Sequence, residues 1–225
     1  MLAVLYDIHG NLPALEAVVA DAEAQEADRY LLGGDYASLG AWPVETLERL
    51  RKLPTVARLR GNWERWQAHP EDMPDIPFVQ AAGRWVRAQI GATAAELGTL
   101  PETTTVDGTF FCHASPKSDM RSFLPTSTVG DGELLVGVAE RRVVFGHTHV
   151  QFRREAATGA ELVNPGSVGL PFDGDQRAAY ALIDGDRVEL RRVAYDYERS
   201  AAAARERIEG VGEDIAERIE SASPP

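Results

Sequence analysis

Leu2-Ala3-Val4-Leu5-Tyr6-Asp7-Ile8-His9-Gly10-Asn11-Leu12-Pro13 is the stretch that decides the fold. The apolar run Leu2 to Tyr6 suits a strand buried on both faces. Asp7 to Asn11 leaves its end as a polar loop. Pro13 is placed for the first turn of a helix running to about Ala27. The same rhythm follows twice more. A strand over Arg29 to Leu32 ends at Gly33-Gly34-Asp35, and Pro43 opens a helix to about Leu53. A third strand, Val56 to Leu59, ends at Arg60-Gly61-Asn62. Strand, loop and helix in alternation predict a largely parallel first sheet with right-handed crossovers.

Residues 63–100 break the rhythm. Pro70, Pro74 and Pro77 mark an irregular connection, and helices are expected over Val79 to Ile90 and Ala92 to Leu97. This segment reads as a helical insert, too short for a core of its own. Beyond Thr104 hairpins dominate. Thr104 to Val106 and Thr109 to Cys112 join across Asp107-Gly108, and Val143 to Phe145 ends at Gly146-His147-Thr148-His149. Short strands flank Thr158-Gly159, and Ala179 to Ile183 pairs with Arg187 to Tyr195 across Asp184-Gly185-Asp186. A helix is expected over Leu134 to Ala139. These elements predict a second, mixed sheet. Two sheets face to face with helices outside bury both strand sets, giving an α/β fold. One domain over residues 1–197 contains the insert. Residues 198–220 read as a single C-terminal helix whose apolar face (Ile208, Val211, Ile215, Ile219) covers a sheet, or alternatively binds a partner. Residues 221–225 read as a flexible tail.

At 225 residues with 44% apolar content, one large domain with an ordinary core is expected. The net charge of -12 argues against a broad nucleic-acid surface and leaves a local phosphate site open, because bound cations add charge that composition does not count. The single cysteine, Cys112, rules out an intramolecular disulfide and reads as a packed core residue. The start of the chain has no basic n-region or membrane-length apolar segment, so the expectation is a cytoplasmic protein without a membrane anchor.

Four of the five histidines sit at the ends of expected strands, beside carboxylates or glycines. Asp7 and His9, two apart, point the same way if the run is extended, and together can grasp a cation. Asp35 follows two glycines, and its two oxygens can bridge two cations. Asn62 offers a neutral carbonyl ligand. His113, His147 and His149 complete seven donors, and His147 and His149 are again two apart on an expected extended segment, facing one cavity. Asn11 and Asn164 read as residues that fix the loops rather than ligate. His69 lies in the irregular insert and is expected at the surface.

These strings, Asp7-x-His9-Gly-Asn, Gly34-Asp35, Gly61-Asn62, His113-Ala114 and Gly146-His147-Thr148-His149, resemble the calcineurin-like metallophosphoesterase superfamily. Within it they are most similar to the compact bacterial and archaeal phosphodiesterase-like branch. Asn164 to Gly169 matches a loop of that branch, and the resemblance spans residues 2 to about 195. It implies a four-layer α/β/β/α sandwich with two mixed sheets. It implies two divalent cations, the first held by Asp7, His9, Asp35 and His149, the second by Asp35, Asn62, His113 and His147. Family members use manganese, iron, zinc, nickel, cobalt or magnesium. A mixed nitrogen and oxygen donor set favours a first-row transition metal over magnesium, with manganese the first expectation. The implied reaction is hydrolysis of a phosphoester by a water held between the cations, with Asp35, Asn62 and His113 acting through the metals.

One departure bears on substrate. Many family phosphatases place histidine directly after Gly-Asn; this chain has Trp63, then Glu64. Indole offers only an N–H donor and cannot serve as that acid. Diesters or nucleotide-like substrates therefore lead, with a phosphomonoesterase and a non-catalytic interaction scaffold, as in the retromer subunit of this fold, as alternatives. Arg60 is a candidate phosphate clamp, because guanidinium matches phosphate geometry. Trp63 and Phe172 are candidate substrate contacts, with Trp63 and Trp66 packing the insert against the main domain as the competing reading. The expected partner is a phosphoester small molecule; self-association is left open.

Overall fold

The computed structural model describes residues 1–224 and contains two five-stranded sheets. The first has the order β10-β9-β1-β2-β3, with β1 Leu2–Leu5, β2 Arg29–Leu32, β3 Thr55–Arg58, β9 Ala178–Asp184 and β10 Arg187–Val193. The second has the order β4-β5-β6-β8-β7, with β4 Thr103–Val106, β5 Thr109–Cys112, β6 Arg142–Val144, β7 Phe152–Glu155 and β8 Glu161–Asn164. In each sheet the three strands that lead to the site loops, or to Asn164, run parallel: β1, β2 and β3 in one, β5, β6 and β8 in the other. Their carboxyl ends therefore open at one end of the sandwich, where α/β sheets place their sites.

Alternation along the strands builds the layers. Leu2, Val4 and Tyr6 face inward and meet Phe111, Val144 and Val163 of the other sheet. Ala3 and Leu5 face outward, onto Leu15, Val18, Leu47 and Leu50 of α1 Leu12–Ala24 and α2 Pro43–Arg51. Tyr6 also donates its hydroxyl to the Val144 carbonyl, tying the sheets together. On the far side, Val143, Phe145 and Cys112 pack under Phe123, Leu134 and Leu135. That fourth layer is thin, with one short helix, α6 Asp131–Leu134. The helix expected over Leu134 to Ala139 lies earlier than predicted; Gly137 turns the chain at φ 92° and Val136 is exposed, so no apolar face anchors it.

Three further expectations change. The hairpin β9–β10 joins the first sheet, pairing antiparallel with β1, so that sheet is mixed. The insert opens with a helix that was not expected and joins the main domain. Its helices are α3 Asn62–Ala68, α4 Pro77–Ile90 and α5 Thr93–Gly98, and Val86, Ile90 and Ala94 complete the helical layer over the first sheet. The C-terminal segment is a hairpin of α7 Tyr197–Arg207 and α8 Gly212–Ser221, broken where Gly210 adopts φ 85°. Ile208, Val211, Ile215 and Ile219 cover Trp63, Trp66 and Leu170 rather than a sheet. Ala222, expected in the tail, is buried and accepts from the Gly174 N–H; Pro225 lies outside the described residues. Among the described residues, no helix is long and apolar enough to cross a membrane.

Candidate metal centre

The donor-bearing loops leave the strand ends through sharp backbone turns. Asp7, His9, Asp35, His147 and His149 all hold positive φ, at 52°, 51°, 56°, 69° and 57°. Such conformations cost a non-glycine residue about 1–3 kcal/mol and persist only where surroundings impose them. The expectation of extended i, i+2 pairs at Asp7/His9 and His147/His149 is therefore corrected: left-handed turns, not a strand's pleat, converge these side chains. Hydrogen bonds between loops impose the turns. The N–H groups of Asp7, His9 and Gly10 donate to the carbonyls of Gly34, Asp35 and Tyr36. The Asn164–Gly169 loop straps the first turn from behind. Val168 N–H donates to Tyr6 O, Gly169 N–H and Ser167 Oγ to Asp7 O.

Six of the donors fall into two groups, Asp7 with His9 and His149, and Asp35 with His113 and His147, the ligand atoms of each within 4.8 Å of one another. Asp35 Oδ2 lies between them, 3.9 Å from His9 Nε2 and 3.4 Å from His113 Nε2. Asn62 Oδ1 sits 3.0 Å from both His113 Nε2 and His147 Nδ1. All seven predicted ligands therefore converge. Six are buried, and His147 is half-buried.

The donor chemistry fits cations. His9 Nδ1 lies 3.0 Å from Ser38 O, and His149 Nδ1 lies 2.6 Å from Leu170 O. Carbonyls only accept, so each Nδ1 carries the proton and each Nε2 presents a lone pair. Those two lone pairs face each other at 3.1 Å, an arrangement that calls for a shared positive charge. Asp7 Oδ1 is buried with no hydrogen-bond partner, while Oδ2 accepts from His147 N–H at 2.8 Å. Burial holds His9 and His149 below their usual pKa. His147 is lowered to about 4 by burial and then by His113, so these three rings are neutral donors. His113 runs the other way: burial opposes its charge, but the carboxylates of Asp35 and Asp7 push it up to about 10. Burial raises Asp7; at Asp35 burial pushes the same way, but His113 outweighs it and pulls that carboxyl down.

The surroundings sort the remaining predicted residues. Phe172 stacks on His149, ring centroids 4.4 Å apart and planes 20° from parallel. Arg60 lies beside His113 on the rim; its guanidinium donates to Gly98 O at 3.3 Å and pairs with Glu102. Trp63 keeps its indole in the core, 5% exposed and edge-on to Trp66, beneath α7 and α8. Its backbone N–H nevertheless reaches the centre, donating to Asp35 Oδ1 at 3.0 Å. His69 is exposed beside Glu71, and Cys112 is buried, as expected. Asn11 touches no ligand; it caps α1 and ties it to Gly169, Tyr195 and Ser200. Asn164 donates to Gly146 O and Thr148 Oγ1, holding the His147–His149 loop.

One important residue escaped the sequence reading. Glu64 is 2% exposed, and its carboxylate accepts from the N–H groups of Asp35, Tyr36 and Gly61 at 2.7, 2.8 and 2.8 Å. Burial and the nearby Asp35 push its pKa up to about 7 against those three bonds. The available signal was its place in the first turn of α3, where a carboxylate reaches back to the N-cap N–H.

Comparison with known proteins agrees with this fold. The chain is 28% identical to an uncharacterized protein of Methanocaldococcus jannaschii, over 89% of this chain and 90% of that one. It resembles the crystal structure of a metallophosphoesterase from Sphaerobacter thermophilus, with TM-score 0.81, 26% identity and 98% of each chain covered. A hypothetical protein from Pyrococcus horikoshii shares the fold, with TM-score 0.83 and 22% identity over 96% of this chain and 98% of that one. The model of the calcineurin-like phosphoesterase superfamily domain matches residues 1–187, and the chain belongs to that superfamily.

Proposed function

We propose that this protein is a two-cation phosphoesterase acting on phosphodiester or nucleotide-like substrates. The observation that carries the proposal is the pair of donor groups sharing Asp35, with the His9 and His149 lone pairs facing each other at 3.1 Å. Asp7, His9, Asp35 and His149 would hold one cation, and Asp35, Asn62, His113 and His147 the other. Manganese is the first candidate, followed by iron, zinc, nickel, cobalt or magnesium. Such ions supply Lewis acidity and a water of lowered pKa.

The protein's own part is placement. Carbonyls of Ser38, Gly33 and Leu170 orient the rings of His9, His113 and His149 so that each Nε2 faces the centre; at His113 a cation would take the place of the proton that Asp35 and Asp7 favour. Asn62 contributes an oxygen without negative charge, which leaves its side of the centre more electrophilic. Arg60 can exchange the largely exposed Glu102 for a phosphate oxygen at the rim. Phe172, stacked on His149, offers a flat wall to a base or aryl group.

Preference for diesters rests on Trp63. The position after Gly-Asn carries an indole turned into the core, so no side chain there protonates a poor leaving group. Seven intact donors weigh against a purely structural scaffold. The test is a metal-by-substrate screen with p-nitrophenyl phosphate, bis-p-nitrophenyl phosphate, cyclic nucleotides and dinucleoside polyphosphates. Metal-dependent turnover favouring diesters, abolished in Asp35→Asn, is expected. Monoesters preferred by a wide margin would overturn the substrate assignment, and no turnover with any metal would overturn the enzyme.

A further inference from the structure

Glu64 joins two loops that carry different ligands. Its Oε2 accepts from Asp35 N–H at 2.7 Å and from Gly61 N–H at 2.8 Å, and its Oε1 accepts from Tyr36 N–H at 2.8 Å. The first and third donors belong to the turn after β2; the second directly precedes Asn62. Among the described residues no Lys, Arg or His forms an ion pair with this buried carboxylate, so backbone N–H groups alone hold it. Each of those three donors would be buried without its partner if the carboxylate were removed. Trp63 N–H adds a fourth bond from the same helix start, to Asp35 Oδ1 at 3.0 Å, which turns Oδ2 toward His9 and His113.

A capping role alone needs only the Gly61 contact. Two of the three bonds go instead to a loop nearly thirty residues away in sequence. No space remains for a looser arrangement: a Cβ on Gly61 would meet Asp35 Oδ1, Asp35 N and Glu64 Oε2. Asp7, His9 and His149 receive no hydrogen bond from Glu64; Asp7 and His9 share only backbone bonds with the turn it holds, and they and His149 have further anchors in the Asn164–Gly169 strap and the carbonyls of Ser38 and Leu170.

We infer that Glu64 is a positioning residue that sets the spacing between Asp35 and Asn62 and so governs the affinity of the Asn62-side cation more strongly than that of the Asp7-side one, which shares Asp35 but not Asn62. The inference rests on the two-cation reading above. Glu64→Gln keeps the side-chain volume and one acceptor oxygen, but turns an N–H donor toward a backbone N–H. It should loosen the Asp35–Asn62 junction without unfolding the chain. Glu64→Ala removes all three acceptors and should act more strongly.

The test is calorimetric titration with Mn²⁺ of the wild type, Glu64→Gln, Glu64→Ala and the benchmark variants Asn62→Ala and His9→Ala. The expected result is two binding events in the wild type. In Glu64→Gln, the event that Asn62→Ala abolishes weakens at least tenfold, while the event that His9→Ala abolishes changes less than threefold. Asp21→Asn, which disturbs an ion pair remote from the centre, should leave both events unchanged despite lower stability. Wild-type affinities in Glu64→Gln, or equal loss of both events, would overturn the inference. A wild type that binds fewer than two ions would instead overturn the two-cation reading.

Discussion

Replacing Gly61 by alanine probes how tightly the centre is built. Gly61 has φ -91° and ψ -177°, an ordinary extended backbone that any residue adopts, so space alone decides the outcome. The new Cβ would lie directly against Asp35 Oδ1, 2.8 Å from Asp35 N and 2.9 Å from Glu64 Oε2. Non-bonded heavy atoms settle near about 3.5 Å, so the Asp35 carboxylate must retreat by roughly 1 Å. Overpacking of this kind costs about 1–3 kcal/mol of stability. A misplacement of about 1 Å at a reacting centre costs on the order of 100-fold in rate. Gly61→Ala should therefore remain folded, melt several degrees lower and hydrolyse bis-p-nitrophenyl phosphate about 100-fold more slowly at saturating Mn²⁺. Gly108→Ala is the control: it has φ 72° but nothing within 4 Å of the new methyl, so it should lose stability without losing rate. Turnover of Gly61→Ala within threefold of wild type would refute the reasoning, because Asp35 would then tolerate displacement.

Other consequences follow from the same geometry. Chelation should lower the melting temperature, since the facing lone pairs of His9 and His149 and the unpartnered Asp7 Oδ1 lose their shared charge; a cation at 1,000 times its Kd contributes about 4 kcal/mol. Equal melting with EDTA and with Mn²⁺ would count against a bound metal. Phe172→Ala removes the stack on His149 but leaves the Leu170 carbonyl bond to Nδ1, so metal stoichiometry should hold while KM for aryl diesters rises. Such stacks contribute about 0.5–1.5 kcal/mol, and an unchanged KM would remove Phe172 from the substrate wall. Asp21 accepts from Tyr180 and Arg191, and Arg191 holds its carboxyl below the ordinary range. Its contribution is therefore present at neutral pH and lost as pH falls through the lowered pKa. Asp21→Asn should reduce unfolding free energy at pH 7 and flatten the acid limb below about pH 4; an unchanged acid limb would contradict this.

What the sequence made legible was local. Each candidate ligand stood out by residue type and by its place after an apolar run, so the residues that converge at the strand ends and the two-sheet architecture were readable. The left-handed turns at Asp7, His9, Asp35, His147 and His149 were not, because bonds between loops far apart in sequence impose them. Glu64 stayed hidden for the same reason: two of its three partners are backbone N–H groups of another loop. Asp184-Gly185-Asp186 marked a hairpin, but a turn does not say which sheet edge the hairpin joins; β9 pairs with β1 through contacts spanning nearly the whole chain. The C-terminal helix kept its apolar spacing across the break, and the glycines at 210 and 212 were the warning that periodicity overrode.

Anomalous diffraction from crystals grown with Mn²⁺ tests the two-cation centre most directly. The account predicts two peaks in each molecule, one bonded by Asp7, His9 and His149 and the other by Asn62, His113 and His147, with Asp35 bonded to both. A single peak at saturating metal, or two peaks that Asp35 does not join, would contradict it.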